Sequence, residues 1–203
     1  MPSLQTLFFD VGGVLLTNGW DTAARKRAAD TFGLDWPEFQ TRHEMLKTAF
    51  ETGHLTLDRY VHKAVFHRPR PFLPDDFMAF MFQQSQPIGE TLAWVRELSR
   101  SGRCRLFTLN NESRELHEYR VRTFQLDTVF RGFLTSCYLG LVKPDEGIYL
   151  SALGIAACDR SDAIFIDDRS LNVEPALALG LNAFHFQELD SLREFLKDRG
   201  VSD

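Results

Sequence analysis

The stretch LFFDVGGV, residues 7–14, joins a continuous apolar run to an aspartate and a glycine turn. A short run of this kind is typical of a strand that is covered on both faces in a parallel sheet. Asp10 ends the run, and Gly12 and Gly13 let the backbone turn tightly and let a ligand approach closely. A carboxylate placed there can attack an electrophile or hold a metal, although an aspartate before a glycine turn also occurs without either role.

Two further apolar runs end in polar residues in the same way. Residues 104–109 lead into Asn110-Asn111, and residues 163–166 lead into Asp167-Asp168. A fourth possible strand covers residues 183–186, and helical patterns occupy residues 90–100, 146–153 and 173–179. This alternation predicts an α/β fold with a doubly wound, Rossmann-like parallel sheet. Because ligands of such sheets bind at the carboxyl ends of the strands, we expect the polar residues to converge there.

Residues 17–87 differ from the rest of the chain because they contain no clear strand pattern. They read as helices that are interrupted at Gly33, Pro37, Gly53 and residues 67–71. Apolar residues at helical spacing within them indicate a small packed bundle. An insert after the first strand would lie above the carboxyl end of the sheet and cover it. We therefore expect a core domain of residues 1–16 and 88–203 and a helical cap domain of residues 17–87.

Asp167 and Asp168 form an acidic pair, with Asn172 following shortly after. Adjacent carboxylates repel each other unless a cation or a lysine offsets their charge. Oxygen ligands of this type suit Mg²⁺. A helix N-cap would explain one of the two aspartates and leave the other unexplained.

Lys143 and the paired asparagines are the remaining polar candidates. Pro144 restricts the backbone beside Lys143, which can either balance a carboxylate cluster or remain a solvated surface lysine. Asn110 and Asn111 can hydrogen-bond an anionic oxygen, or they can serve a turn or helix cap.

Composition and charge exclude several classes of function. The 203 residues carry a net charge of −5, which argues against a nucleic-acid binder. No apolar run reaches the length of about 18 residues that a transmembrane helix needs, so no membrane partner is expected. The first residues lack the basic segment of a signal peptide, and three widely spaced cysteines suggest no disulfide framework, so we expect a cytoplasmic location. The 18 phenylalanines fit the core of a monomer or the apolar face of a homodimer.

The order of these features resembles the haloacid dehalogenase superfamily of hydrolases, and the resemblance covers nearly the whole chain. The stretches DVGGVL (10–15), ETGHLT (51–56) and LGLVKPD (139–145) resemble the branch that contains a glucose-1-phosphate phosphatase and the phosphatase domain of epoxide hydrolases. Most members of the superfamily are phosphatases that use an aspartate nucleophile and Mg²⁺. The resemblance therefore implies hydrolysis of a small phosphorylated metabolite through an aspartyl-phosphate intermediate.

The resemblance also implies the roles of the residues around the metal. Asp10 would be the catalytic nucleophile and a metal ligand, and Gly12 would lend its backbone carbonyl to the metal. Asp168 would complete the metal site. Asp167 and Asn172 would support it.

Three further residues would act on the phosphoryl group. Lys143 would stabilise the charge of the phosphoryl group and of the attacking aspartate, and Asn110 and Asn111 would bind phosphate. Asn110 occupies the place where the family usually has Ser or Thr, which is the first departure from the family pattern.

The second departure is at Gly12, where the family's phosphatases usually carry a second aspartate as general acid and base. A proton for the leaving group would then come from water, from the substrate, or from a cap side chain such as His43 or Asp21. Two alternatives therefore stay open. A carbon–halogen hydrolase also lacks the second aspartate, but the family's dehalogenases work without Mg²⁺, which the acidic pair disfavours. A non-catalytic phosphate-binding regulator would have lost turnover through Gly12.

Overall fold

A five-stranded parallel sheet forms the centre of the computed structural model, which describes residues 4–201. Its strands are β1 (Thr6–Phe9), β2 (Arg105–Asn110), β3 (Gly132–Thr135), β4 (Ala163–Asp167) and β5 (Asn182–His185). The strand order is β3-β2-β1-β4-β5, and each neighbouring pair is parallel. β1 therefore lies in the middle, between β2 and β4. The predicted core residues 1–3 and 202–203 lie outside the described residues.

This architecture confirms the predicted α/β fold with a Rossmann-like parallel sheet. The three predicted strands and the possible fourth strand are present as β1, β2, β4 and β5, each shifted by about one residue at an end. The sequence pattern does not predict β3, because its residues Gly132-Phe133-Leu134-Thr135 form no continuous apolar run. β3 lies at the edge of the sheet and pairs with β2 alone, so it has less need of an apolar sequence.

Five helices separate β1 from β2, and we call the first four of them the helical insert (residues 22–83). They are α1 (Thr22–Phe32), α2 (Trp36–Glu51), α3 (Leu57–Ala64) and α4 (Pro74–Gln83). The remaining helices are α5 (Thr91–Ser101), α6 (Arg114–Thr123), α7 (Ser136–Leu139), α8 (Glu146–Ala156), α9 (Ser170–Ala178) and α10 (Leu189–Lys197). Among the described residues, none of these helices combines the length and the apolar character that a membrane span requires.

Side chains of the sheet bury themselves alternately in two hydrophobic clusters, one on each face. Leu7 and Phe9 of β1 pack with residues of α5 and α10, whereas Phe8 packs with residues of α8 and α9. Each fully buried leucine or phenylalanine contributes roughly 1.5–3 kcal/mol relative to exposure. Burial on both faces explains why the central strands read as continuous apolar runs.

The helical insert has a hydrophobic cluster of its own, built largely from aromatic side chains. Trp20, Phe39 and Phe77 contact one another edge to face within it, and Leu116 of α6 joins it from the sheet side. Side chains that accept hydrogen bonds from first-turn N–H groups define where three of its helices begin. These N-cap residues are Asp21, Asp35 and Thr56.

The chain passes between the sheet and the helical insert at two crossings, residues 16–19 and residues 84–88, which lie side by side. Leu16 and Pro87 form an antiparallel bridge. The Thr17 N–H donates to the Gln86 carbonyl at 2.8 Å, and the Ile88 N–H donates to the Leu15 carbonyl at 3.0 Å. The first crossing starts shortly after Asp10, so the chain leaves the sheet for the insert from the carboxyl end of β1.

Candidate active site

Three neighbouring strands end in polar side chains at one edge of the sheet. Asp10 follows β1, Asn110 ends β2, and Asp167 ends β4 with Asp168 directly after it. The Asp10 N–H donates to the Ile166 carbonyl at 2.8 Å, which continues the pairing of β1 with β4 as far as the aspartates. The structure thus brings together residues that the sequence separates by more than 150 positions.

Lys143 lies between two of these carboxylates and is 5% exposed. Its Nζ is 2.6 Å from Asp167 Oδ2 and 3.2 Å from Asp10 Oδ1. Burial by itself lowers the pKa of Lys143, but the two carboxylates outweigh that effect and raise it, so the ammonium group stays charged. The alternative of a solvated surface lysine is therefore wrong.

Asn111 holds the backbone of Lys143. Its Nδ2 donates to the Lys143 carbonyl at 2.8 Å, and its Oδ1 accepts from the Lys143 N–H at 2.8 Å. This pairing uses the Asn111 oxygen and one of its two N–H groups, so Asn111 positions the backbone of the residue that lies between the carboxylates. The direct contact of Asn111 with phosphate stays a prediction.

Asp167 is fully buried, and its carboxylate is saturated with donors. Besides Lys143 Nζ, it accepts from Asn172 Nδ2, which is 3.0 Å from each oxygen, and from the Arg169 N–H at 2.9 Å. Asn172 is held in turn by the Tyr149 hydroxyl, which donates to its carbonyl at 2.8 Å. Lys143 thus offsets the negative charge of Asp167, as one of the two explanations for the acidic pair requires.

Asp168 points into different surroundings. Its Oδ2 accepts from Asn18 Nδ2 at 3.3 Å, whereas its Oδ1 is buried without a hydrogen-bond partner among the described residues. A buried carboxylate oxygen without a donor is costly unless a cation occupies the space beside it. For Asp168, the other explanation of the acidic pair fits better, namely a cation that offsets its charge.

The arrangement of oxygen atoms fits a magnesium ion. Ligand atoms of Asp10, Asp167 and Asp168 lie within 4.8 Å of one another. Burial raises the pKa of Asp10 to about 7, Lys143 opposes this effect, and the other two carboxylates add to it. One lysine among three carboxylates leaves negative charge in excess, and hard carboxylate oxygens suit Mg²⁺. Since Asp167 is saturated, Asp10 and Asp168 are the carboxylates free to hold the ion.

The two glycines after Asp10 have different surroundings. Gly13 has φ +78°, and a Cβ atom there would lie 2.0 Å from Asp168 Oδ2, so a side chain would displace the acidic group. Gly12 is outside the left-handed region, and a Cβ atom there would meet Asn18 Oδ1 at 2.9 Å. Asn18 therefore occupies the space that a side chain at position 12 would enter.

Asn110 is buried and is bonded at both ends of its amide. Its Nδ2 donates to Glu112 Oε2 at 3.3 Å, and its Oδ1 accepts from the Thr135 hydroxyl at 3.3 Å. The sequence pattern gives no sign of Asn18 or Thr135, since isolated polar residues of these types resemble ordinary loop or strand positions. Glu112 is not predicted either. The single signal for Glu112 is its place directly after the paired asparagines.

His43 does not supply the missing proton donor, whereas the role of Asp21 stays untested. His43 is 3% exposed, its Nδ1 lies 2.8 Å from the Tyr60 hydroxyl, and burial lowers its pKa to about 3. An imidazole in that state is neutral at physiological pH and carries no proton that an acid catalyst could give up easily. Asp21 caps α1 by accepting from the Ala24 N–H at 2.7 Å.

Two buried histidines give a prediction for the pH dependence of stability. Burial lowers the pKa of His43 to about 3 and that of His117 to about 4, against about 6.5 in the unfolded chain. Below pH 6.5 the unfolded chain therefore binds more protons than the folded chain does. For each histidine, the free energy of unfolding decreases by about 1.4 kcal/mol for every unit by which the pH is lowered. This contribution is lost progressively from pH 6.5 down to about pH 3–4.

Urea unfolding at pH 7 and pH 5 checks this prediction in the wild-type chain and in His43→Phe. The variant should lose about 2 kcal/mol less than the wild-type chain over this interval, because one buried histidine no longer contributes. Equal pH dependence of the two chains would contradict the assignment of a neutral buried imidazole to His43.

Comparisons with known proteins identify the family of the chain. The family model of the haloacid dehalogenase-like hydrolases matches residues 4–180. A flavin mononucleotide hydrolase of Arabidopsis thaliana is 40% identical over 67 residues, which cover 33% of this chain and only 27% of that protein. A sesquiterpene phosphatase of Aspergillus oryzae is 26% identical over 196 residues, which cover 92% of this chain and 91% of that protein.

Solved structures share the fold. A haloacid dehalogenase-family enzyme from Bacteroides thetaiotaomicron, solved with magnesium and inorganic phosphate, has a TM-score of 0.74 at 20% identity and covers 94% of this chain and 99% of that chain. An L-2-haloacid dehalogenase has a TM-score of 0.64 at 17% identity and covers 89% of this chain and 83% of that chain. The family match spans the three strands whose ends carry the site, and the chain therefore belongs to the haloacid dehalogenase-like hydrolases.

Proposed function

We propose that this chain hydrolyses a small phosphomonoester, a phosphorylated metabolite, in a Mg²⁺-dependent reaction. The observation that carries the proposal is the buried, unpartnered Oδ1 of Asp168, which lies in one cluster with Asp10 and Lys143. Positive charge from a metal and a lysine suits the anionic oxygens of a phosphoryl group. The names of two relatives, a flavin mononucleotide hydrolase and a sesquiterpene phosphatase, support this choice within the family.

Asp10 is the nucleophile in this proposal. Its carboxylate attacks phosphorus, the bond from phosphorus to the ester oxygen breaks, and water then hydrolyses the resulting aspartyl-phosphate. The Val11 N–H at 2.8 Å and Lys143 Nζ at 3.2 Å both contact Asp10 Oδ1, and they hold the carboxylate in one orientation. Lys143 also stabilises the charge on the transferring group, while Asn110 donates a hydrogen bond to it.

Asp10, Asp168 and the carbonyl of Gly12 would hold the Mg²⁺ ion, which supplies charge neutralisation for the phosphoryl group when bound. Asp167 and Asn172 are not among these proposed ligands, and they act through Lys143. They fix the Lys143 ammonium, which would otherwise be drawn toward the metal-binding carboxylates.

We further propose that residues 17–87 form a cap domain over a core domain of residues 1–16 and 88–203. The separate hydrophobic cluster of the helical insert and the adjacent crossings support this division. The end of α2 touches the core beside the site, where the Ser136 hydroxyl donates to the Glu51 carbonyl at 2.6 Å. Such a cap excludes water that competes for the phosphoryl group.

The cysteines, all within the described residues, form no disulfide, which suits the reducing cytoplasm.

Release of phosphate and release of chloride distinguish the candidate reactions. We expect the chain to release phosphate from a panel of small metabolite phosphates in the presence of Mg²⁺, and to release no chloride from a 2-chloro acid. The reverse result would establish a carbon–halogen hydrolase. Tight binding of the phosphate mimic fluoroberyllate without turnover of any ester would establish a non-catalytic regulator.

The substitution Gly12→Asp tests the missing general acid. We expect it to accelerate hydrolysis of a sugar phosphate more than that of p-nitrophenyl phosphate, because a sugar alkoxide needs a proton to leave and p-nitrophenolate does not. General acid catalysis is typically worth about 10²–10⁴ in rate. Because a Cβ atom at position 12 would meet Asn18 Oδ1 at 2.9 Å, the double variant with Asn18→Ala should show the larger gain.

Stability and Mg²⁺ affinity of these variants are measured together with the rates. Gly13→Ala serves as the control, since its Cβ atom would lie 2.0 Å from Asp168 Oδ2 and should weaken Mg²⁺ binding. An equal response of the two substrates to Gly12→Asp, at unchanged stability and Mg²⁺ affinity, would show that the proton already comes from elsewhere.

A further inference from the structure

Beside the proposed catalytic residues lies a buried ion pair that the mechanism above does not use. Arg120 Nη1 is 2.6 Å from Glu112 Oε1, and the side chains are 3% and 4% exposed. Removing two charges from water is costly, so such a pair by itself adds little to stability. The contacts that each partner makes beyond the pair are therefore informative.

Arg120 contacts both crossings between the sheet and the helical insert. Its Nε donates to the Ser85 hydroxyl at 3.0 Å, and its Nη2 donates to the Thr17 carbonyl at 2.9 Å. A Cβ atom on Gly19, which has φ +68°, would lie 2.0 Å from the same Nη2, so the first crossing passes directly against the guanidinium group. The guanidinium group of an arginine presents five N–H donors in a rigid planar fork, so it can bond several separated acceptors in fixed directions, whereas a lysine ammonium is a single compact charge.

Glu112 contacts Asn110 on the other side of the pair. The ion pair with Arg120 favours the ionised form of Glu112, which accepts hydrogen bonds and donates none. In that form the Asn110 NH₂ group faces Glu112 Oε2, at 3.3 Å. The amide oxygen then faces the Thr135 hydroxyl at 3.3 Å. The second N–H of Asn110 is not needed for either bond, which leaves it free to donate to an anionic oxygen.

The surrounding polar groups agree with this direction of the amide. Thr135 has a single hydroxyl proton, and donating it to Asn110 leaves His117 Nδ1, 3.2 Å away, to donate to Thr135. Burial raises the pKa of Glu112 to about 7 although Arg120 lowers it, so Arg120 is the group that favours the charged carboxylate.

We propose that Glu112 and Arg120 are positioning residues that orient the Asn110 amide toward the phosphoryl group and tie that orientation to the two crossings. This inference rests on the proposed phosphatase function. It assigns the pair a role in phosphate affinity in addition to its place in the core. It also makes the second crossing, through Ser85, part of the support of the phosphate site.

Three variants separate this role from a purely structural one. Glu112→Gln keeps the size of the side chain but brings its own NH₂ group, which can donate to the Asn110 oxygen and allow the amide to reverse. Ser85→Ala removes one tether of Arg120 and leaves the ion pair intact. Arg96→Lys is the control, because Arg96 also bonds a backbone carbonyl, the half-buried one of Phe124, and contacts none of the site residues named above.

The readouts are the inhibition constant of inorganic phosphate with Mg²⁺, the KM and kcat for p-nitrophenyl phosphate, and the melting temperature. For Glu112→Gln we expect the inhibition constant and KM to rise together by about tenfold, the equivalent of one hydrogen bond to a charged group, with a smaller change in kcat. Ser85→Ala should raise the inhibition constant by about two- to threefold, and Arg96→Lys should leave it unchanged. A contact with a purely structural role would shift the melting temperature and not the inhibition constant.

Wild-type phosphate inhibition in folded Glu112→Gln would overturn the inference, and if that variant does not fold, wild-type inhibition in Ser85→Ala would overturn it. If the inhibition constant rises in Glu112→Gln but not in Ser85→Ala, the proposed link between the Asn110 orientation and the two crossings is overturned. These results leave the proposed function standing if the wild-type chain turns over. A wild-type chain that releases no phosphate from any ester would overturn the proposed function itself, and this inference with it.

Discussion

Asp10→Asn is expected to lower the turnover of p-nitrophenyl phosphate by about 10⁴-fold or more, the scale on which enzymes lose rate without their nucleophile. The amide has the shape of the carboxylate and can still accept from the Val11 N–H, but it lacks the charge that attacks phosphorus. We expect a small change in melting temperature, because the substitution also removes one of three clustered carboxylates. Phosphate release and thermal unfolding measure the two effects separately.

Asp190→Asn is the matched control for this prediction. It makes the same chemical change on the surface of α10, where the Asp190 side chain is 86% exposed, and should leave turnover unaltered. Near wild-type turnover in Asp10→Asn would reduce Asp10 to a metal ligand and require another nucleophile.

Removal of Mg²⁺ by a chelator is expected to abolish hydrolysis, and added Mg²⁺ should restore it. The carboxylates of Asp10 and Asp168 repel each other and any anionic substrate without the ion, because Asp10 shares the single positive charge of Lys143 with Asp167. Asp168→Ala should weaken Mg²⁺ binding by about tenfold or more, a loss typical of changes at a metal site. Calorimetric titration of Mg²⁺ measures this affinity without reference to activity.

Glu174→Ala, an exposed carboxylate of α9, is the control and should bind Mg²⁺ as the wild-type chain does. Full activity in excess chelator would contradict the proposal of a metal-dependent reaction and would favour the alternative of a carbon–halogen hydrolase. Unchanged Mg²⁺ affinity in Asp168→Ala would place the ion away from the unpartnered oxygen.

The fold was accessible from the sequence because a strand covered on both faces must be apolar throughout. Such a strand makes the polar residue at its end conspicuous, as Asp10 and Asp167 show. β3 could not be predicted in this way, since four residues at a sheet edge need no continuous apolar pattern. The helical insert was readable for a related reason, because its helices bury one stripe each against a common cluster.

The direction of individual side chains was not accessible in the same way. Asp167 and Asp168 are neighbours of the same type, yet one is saturated by Lys143 and Asn172 and the other keeps a bare oxygen. Asn110 and Asn111 differ in their partners, since Asn111 bonds the Lys143 backbone whereas Asn110 bonds the side chains of Glu112 and Thr135. Only the positions of partners far along the chain distinguish the members of each pair.

The order of residues along the chain is enough to predict which of them stand at the carboxyl edge of the sheet, because apolar runs and helical periods are local patterns set by burial. The contacts among those residues follow from the folded arrangement alone. Asn18 reaches Asp168 across 150 positions, and Arg120 reaches Thr17 across 103. Contacts of this length depend on how the layers pack, and hydrogen-bond direction and charge compensation follow from that packing and leave no local pattern in the sequence.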